Sequence, residues 1–558
     1  MRKNCYLLIA AASLMMFASC GKLGKFTADN FTVTPTPLEC AGGEVPVTVS
    51  ANIPAKFLKK KAVVTCTPVL RWNGGESVGA SATFQGEKVE ANNQIISYDN
   101  GGHATLRTSF PFQSGMEQSE LFMTFNAKVG KKNVNLPEVK IGYGTVCTAN
   151  LVSECVKSAN NGIAPDNFQR VINQKQAATI KFLIGQANLR GSELNSSNVK
   201  DFIATLKNIK SDEESLVLNN IEVSAYASPD GKLSFNEKLA ERREQTSSSF
   251  VKEQLRKTKL DTNVDTEYTA EDWEGFQELV SQSNLDDKDL ILRVLSMYKD
   301  PEQREEEIKN IATVYKELAD AVMPELRRAR MTINYDVIGR SDAEILSTFA
   351  SEPNKLSVEE MVYAANILAD NDAKKESFLK QAVNTYPSDY RAYNNLAELA
   401  MRKGDYTTAT SYINEALRKN PNAAEANVNL GLIALKDGQI KDAEVYLSKG
   451  SKSSNIKEAL GNLYIAQGKY NLAAQNLAGV STNSAALAQI LTKDYNAAKT
   501  TLDKIKNADA MTSYLKAVLA ARMGNKADVL SNLEKAKALD ASLAEKAAKD
   551  VEFEKYLK

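Results

Sequence analysis

The sequence predicts a multidomain chain with a β-sandwich first, an α+β domain next and an all-α solenoid last. Three observations predict it. Short alternating apolar runs broken by turn residues fill residues 30–150, strand and helix patterns interleave over 165–340, and glycines recur at a fixed interval beyond 356. A length of 558 residues is enough for three or four domains of ordinary size. Hydrophobic residues make up 43% and charged residues 25%, a globular balance. Lys+Arg and Asp+Glu both count 69, so no net field draws the chain to nucleic acid, and no nucleic-acid partner is expected.

Residues 1–19 read as a signal peptide. Arg2 and Lys3 are basic, and residues 5–17 are apolar but too few to span a bilayer. The stretch ends Phe17-Ala18-Ser19-Cys20-Gly21, which resembles the lipobox of bacterial lipoproteins with Phe17 in place of the usual Leu. The resemblance implies that Cys20 is acylated and becomes the first mature residue. No later run is long and apolar enough to cross a membrane, so attachment would rest on the acyl chains. Residues 20–29 then read as a tether. Cys40, Cys66, Cys147 and Cys155 remain, and their spacing leaves both free thiols and bridges open.

Between 30 and 150, Val45, Val47 and Val49 alternate, Ala62-Val63-Val64-Thr65-Cys66 is β-branched, and Leu121-Phe122-Met123-Thr124-Phe125 is a further short run. Asn73-Gly74-Gly75, Asn100-Gly101-Gly102 and Gly130-Lys131-Lys132 supply turns. This pattern suggests a β-sandwich of immunoglobulin-like type. In the middle region, residues 178–184 read as a strand, and Val199, Phe202, Ile203 and Leu206 lie at helical spacing. Residues 220–227 read as a second strand, 234–255 as a helix, about 272–325 as a helical insertion, and 330–337 as a closing strand.

Beyond 356 the chain reads as helix throughout. Gly404 and Gly438 are 34 residues apart and Gly468 follows 30 later. Around them recur Tyr393, Leu396, Ala397, Ala400, Tyr406, Ala409, Ile413, Ala416 and Pro421, then Leu430, Gly431, Ala434, Ala443 and Leu447, then Leu460, Gly461, Tyr464, Tyr470, Ala473 and Leu477. Small residues let two antiparallel helices approach, each turn Gly ends the first helix, and large residues fill the seam. The pattern resembles tetratricopeptide (TPR) repeats over 356–541, followed by a tail over 542–558. That resemblance implies a groove holding protein partners, and no chemistry.

The segment Ala225-Tyr226-Ala227-Ser228-Pro229-Asp230-Gly231-Lys232-Leu233-Ser234-Phe235-Asn236-Glu237-Lys238-Leu239-Ala240-Glu241-Arg242-Arg243 resembles the core motif of OmpA-like peptidoglycan-binding domains. Gly231, Phe235, Asn236, Leu239, Arg242 and Arg243 fall on that family's positions, and Arg327-Arg328-Ala329-Arg330 also fits. The resemblance implies that an Asp and an Arg grip the zwitterionic diaminopimelate of the wall peptide. The Asp would meet the ammonium, and the Arg fork the carboxylate. Arg243 and Asn236 are in place, but Ser228 stands at the Asp position. Asp230, two residues on, offers a carboxylate on the same loop. The other reading makes Arg243 structural and the domain a module for a protein partner.

His103 is the chain's one histidine, so no His-based triad or His-rich metal site can form, and no phosphate-binding glycine loop is present. The chain is therefore expected to be no enzyme, with no catalytic residues, no metal and no cofactor. The combination of anchor, OmpA-like domain and repeats resembles envelope proteins of Bacteroidota. Gly21-Lys22-Leu23-Gly24-Lys25 lacks an acidic cluster, which favours the periplasmic face of the outer membrane. The expected role is a lipid-anchored envelope scaffold touching peptidoglycan and protein partners. The alternative is a component or chaperone of a secretion or surface-fibre assembly machine whose OmpA-like domain no longer binds peptidoglycan.

Overall fold

The computed structural model describes residues 23–558 apart from 286, 287 and 311, so Cys20 and the signal segment lie outside the described residues. Two compact units result. Residues up to Asp166 join Met361–Lys558 in one, and Asn167–Glu360 form the other.

The first unit begins with strands. Phe31–Thr34, Glu44–Ile53 and Gly102–Pro111 form an antiparallel sheet. Ala62–Trp72 and Glu120–Val129 lead a second, with Ala82–Gly86, Gln94–Ile96 and Lys132–Val134 beside them. Alternation in the sequence becomes alternation in burial: Val45, Val47 and Val49 point inward with Leu70, Phe110 and Leu121 into one core. Residues expected as tether join that core. Leu23 and Phe26 are buried, and the Phe26 ring stacks on Phe125 at 4.8 Å, because two large apolar groups in a lysine- and glycine-rich stretch gain more by packing than by staying solvated. Cys40, Cys66, Cys147 and Cys155 are all free thiols; burial pushes Cys40 up to about 11 and Cys66 to about 12.

Helices occupy the rest of this unit. Five antiparallel pairs run from Tyr390–Arg402 with Tyr406–Lys419 to Ala510–Arg522 with Lys526–Leu539. Gly404 takes φ +76° where the first helix ends; its N–H donates to Met401 O, and that of Asp405 to Ala400 O. In the fourth pair Lys493 holds the same left-handed conformation at φ +64°, which is why the glycine period fades there. Gly461 sits where a Cβ would stand 2.4 Å from Leu477 Cγ, so only glycine allows that seam to close.

Residues 542–558, expected as a tail, fold into the helical segments Ser542–Lys549, Val551–Phe553 and Glu554–Leu557. Phe553 is fully buried, edge-on to Tyr514 at 5.4 Å, and the Tyr514 hydroxyl donates to Asp550 Oδ2 at 2.7 Å. The tail is a cap that covers the apolar end of the last pair. Burial lifts the Asp550 carboxyl to about 6, against the hydrogen bonds from Tyr514 and the Glu552 N–H. The fold favours the protonated form, so this group's contribution grows as pH falls from about 7 to about 4. Asp550→Asn should remove that dependence. The stability gap between wild type and variant should change by about 2 kcal/mol across the window, read by urea denaturation at both pH values.

The second unit is a four-stranded sheet in the order Val171–Lys181, Arg328–Ile338, Leu216–Tyr226 and Asn263–Thr269. The first three pair antiparallel and the last parallel. Helices Ser197–Ser211 and Leu233–Thr258 bury Val199, Phe202, Leu206, Val251 and Leu255 against Ile221, Val223, Met331 and Ile333. Helices between Trp273 and Leu326 form a smaller core around Phe276, Ile291 and Leu318.

Two elements depart from expectation. The strand expected at 178–184 starts at Val171 and stops at Lys181. Its outer half, Val171 to Lys175, is exposed, so no apolar face marks it, while Leu183 and Ile184 turn out to solvent before Gly185. The strand Asn263–Thr269 had no signal for the same reason: it is a mostly exposed edge.

Candidate functional site

The four residues predicted to carry peptidoglycan binding come together where Leu216–Tyr226 runs into Leu233–Thr258. Asn236, on the first turn of that helix, donates through Nδ2 to Ser228 O at 3.1 Å and Gly231 O at 3.0 Å, pinning the loop to the helix. Ser228 donates from Oγ to Asp230 Oδ1 at 2.6 Å. Asp230 Oδ2 pairs with Arg327 Nη2 at 2.8 Å, and both side chains are largely buried. Asp230 is thus turned toward a cation of the chain's own. Arg327 lies in the basic run noted in the sequence; its role as partner depends on a residue 97 positions away and had no local signal.

Arg243 sits two helical turns beyond Asn236 and is 0% exposed. Its Nε donates to Gln186 O at 3.0 Å, Nη1 to Tyr226 O at 2.8 Å and Nη2 to Leu183 O at 3.3 Å, with the guanidinium carbon 5.1 Å from the Phe182 ring centre. Desolvation, and then repulsion from Arg327, lower its pKa to about 10, with Asp230 pulling the other way. The guanidinium therefore staples the loop after the first strand, the end of the second and the long helix. Beside it, Arg328 Nη2 meets Asp272 Oδ2 at 2.8 Å, and burial raises the Asp272 carboxyl despite the Gly275 N–H.

A second site lies in the repeats, formed by a segment that carries no motif in the sequence. After the last strand of the β region, residues 148–166 run along the first helices of successive pairs, from the C-terminal end of the array toward its N-terminal end. Thr148 Oγ1 donates to Glu552 Oε1 at 2.7 Å, and Asn483 Nδ2 to Ser158 Oγ at 3.1 Å. Asn160 Nδ2 donates to Glu458 Oε2 at 2.7 Å, Asn455 Nδ2 to Asn161 O at 2.5 Å, and Arg391 Nη1 to Asp166 O at 2.7 Å. Leu151, Val152, Cys155 and Val156 enter the core of the array itself.

At the centre of this segment four asparagines replace a sheet partner. Gly162 N–H donates to Asn429 Oδ1 at 2.7 Å, and its carbonyl accepts from Asn429 Nδ2 at 2.8 Å and Asn394 Nδ2 at 2.9 Å. Ala164 N–H donates to Asn395 Oδ1 at 2.7 Å, and its carbonyl accepts from Asn395 Nδ2 at 3.1 Å and Asn366 Nδ2 at 3.2 Å. The amides also bond one another, Asn429 to Asn394, Asn394 to Asn395 and Asn395 to Asn366, so the buried polar row is satisfied. Asn394 and Asn429 recur 35 residues apart, and such polar pairs inside otherwise apolar helices were the signal available in the sequence.

The match to a family of known proteins falls in the helical half. The chain matches the Tetratricopeptide repeat family over residues 394–450. A tetratricopeptide repeat protein from Parabacteroides merdae is similar at 15% identity and a TM-score of 0.28, covering 43% of this chain and 96% of that one. PilF of Pseudomonas aeruginosa is similar at 18% identity and a TM-score of 0.25, covering 36% and 91%. PilW, a type IV pilus biogenesis factor, is similar at 17% identity and a TM-score of 0.26, covering 36% and 94%. No curated protein matches the chain. The chain is thus a protein with a strand-rich N-terminal region and C-terminal tetratricopeptide repeats, repeats of the kind that bind proteins.

Proposed function

We propose that the protein is a lipid-anchored scaffold of a bacterial envelope, held by acyl chains on Cys20 at the periplasmic face of the outer membrane. Its repeats engage protein partners, its N-terminal region is an immunoglobulin-like sandwich, and its OmpA-like middle domain serves as a docking module rather than a grip on peptidoglycan. It carries out no catalysis. The observation that carries this reading is Arg243, whose guanidinium is fully buried and donates to three backbone carbonyls. A ligand carboxylate would need those donors, and the ammonium of the same ligand would need Asp230, which Arg327 engages. The choice of an assembly scaffold over a wall anchor rests on three of the five guanidinium donors being bound to the chain's own backbone and on the Asp230–Arg327 pair.

The test is co-sedimentation of the full chain with purified peptidoglycan, alongside radiolabelled palmitate incorporation in cells. The chain should stay in the supernatant, and palmitate should label the wild type but not Cys20→Ser. Saturable pelleting that Arg243→Lys abolishes would overturn the docking reading, and an unlabelled wild type would overturn the anchor.

A further inference from the structure

Residues 160–166 belong to no helix or strand, and Asn161, Gly162 and Ala164 are buried along the repeats. Gly162 and Ala164 face the helices while Ile163, between them, is exposed. The hydrogen bonds that the four asparagines make to Gly162 and Ala164 all go to main-chain atoms, so they read a backbone and its register, not side chains. Side-chain selection comes from space. A Cβ on Gly162 would stand 2.6 Å from Glu425 O and 3.0 Å from Glu425 Cα, atoms of a helix backbone that cannot step aside. Ala164 is 0% exposed, which leaves no space for a larger side chain. Asn160 adds a polar contact with the buried Glu458, whose carboxyl burial raises above its ordinary value.

We propose that the inner face of the repeats is a peptide-binding site with a fixed reading frame, taking an extended Asn-x-Gly-x-Ala segment, and that residues 160–166 are its resident ligand in cis. The partner it fits is an extended segment with glycine and alanine two residues apart, which gains the site by displacing the chain's own. The inference deepens the reading that the repeats engage protein partners. It also explains why that groove, free in a simple repeat array, is filled here: the segment joins the β region to the middle domain and threads the receptor on its way.

The test uses the full chain and a fluorescent peptide of residues 156–166. The wild-type peptide should bind a Gly162→Ala chain about tenfold or more tightly than it binds the wild-type chain, because that chain cannot seat its own segment. A peptide carrying the same Gly162→Ala change should bind neither. Should the Gly162→Ala chain fail to fold, the wild-type chain decides alone. Excess wild-type peptide should raise hydrogen exchange at the Gly162 and Ala164 amides, and the altered peptide should not. Equal behaviour of the two peptides, or unchanged exchange at millimolar peptide, overturns the proposal. Either failure leaves the wider scaffold reading standing, since that reading falls on palmitate labelling and peptidoglycan pelleting.

Discussion

Arg243→Met should lower the stability of the middle domain by about 3 kcal/mol, with no change in any interaction with the wall. Methionine keeps the unbranched stem that runs through the core but removes every donor. The carbonyls of Gln186, Tyr226 and Leu183 would then lose their donor in a part-buried site, and each group left unpaired costs about 1–3 kcal/mol. Part of that loss is returned because a guanidinium no longer has to be desolvated; the lowered pKa of Arg243 reports the same penalty. The net effect is set by the carbonyls, since three elements lose their common tie at once. Arg243→Lys should fall between, because one ammonium cannot reach acceptors spread around a planar fork. The measurement is urea denaturation followed by hydrogen exchange in peptides from 167–360. A residue kept to grip a ligand would behave in the opposite way, losing binding with stability intact, so an unchanged midpoint would return Arg243 to the ligand-binding role.

The sequence showed the order of regions because each carries a different period: alternation at Val45, Val47 and Val49, helical spacing at Val199, Phe202 and Leu206, and the 34-residue interval from Gly404 to Gly438. These signals arise wherever one face is buried. Asn263–Thr269 and the outer half of Val171–Lys181 are edges with no buried face, and neither was legible. The motif around Arg243 was legible as a constellation, and its residues do meet. Their chemistry was not, because what Arg243 donates to is backbone, and carbonyls from Leu183 and Gln186 have no signature in side-chain identity. Residues 148–166 were silent for a related cause. Their partners lie 202 to 404 positions away, and a glycine needed for closeness to Glu425 looks, in one dimension, like a glycine in any loop.

Asn429→Ala should release the centre of that segment and leave its ends in place. Asn429 alone closes both main-chain groups of Gly162, as a neighbouring strand would, and also donates to Asn394. Without it the Gly162 N–H has no acceptor, and its carbonyl keeps only Asn394. The local loss is about 2–4 kcal/mol, comparable to what holds a short extended segment in place. Leu151, Val152, Cys155 and Val156 still pack into the array, so the opening should stop near Ala159 and not spread to global unfolding. Limited proteolysis should then cut within 160–166 in the variant while sparing the wild type, with little change in overall helicity. Asn427→Ala is the control. Asn427 belongs to the same helix and is also buried, but its Nδ2 donates to Ala423 O one turn back and not to the segment. If both variants expose 160–166, the segment depends on general stability of the helix. If only Asn429→Ala does, the hold is the backbone clamp, and the same pair of bonds becomes what a competing peptide must reproduce.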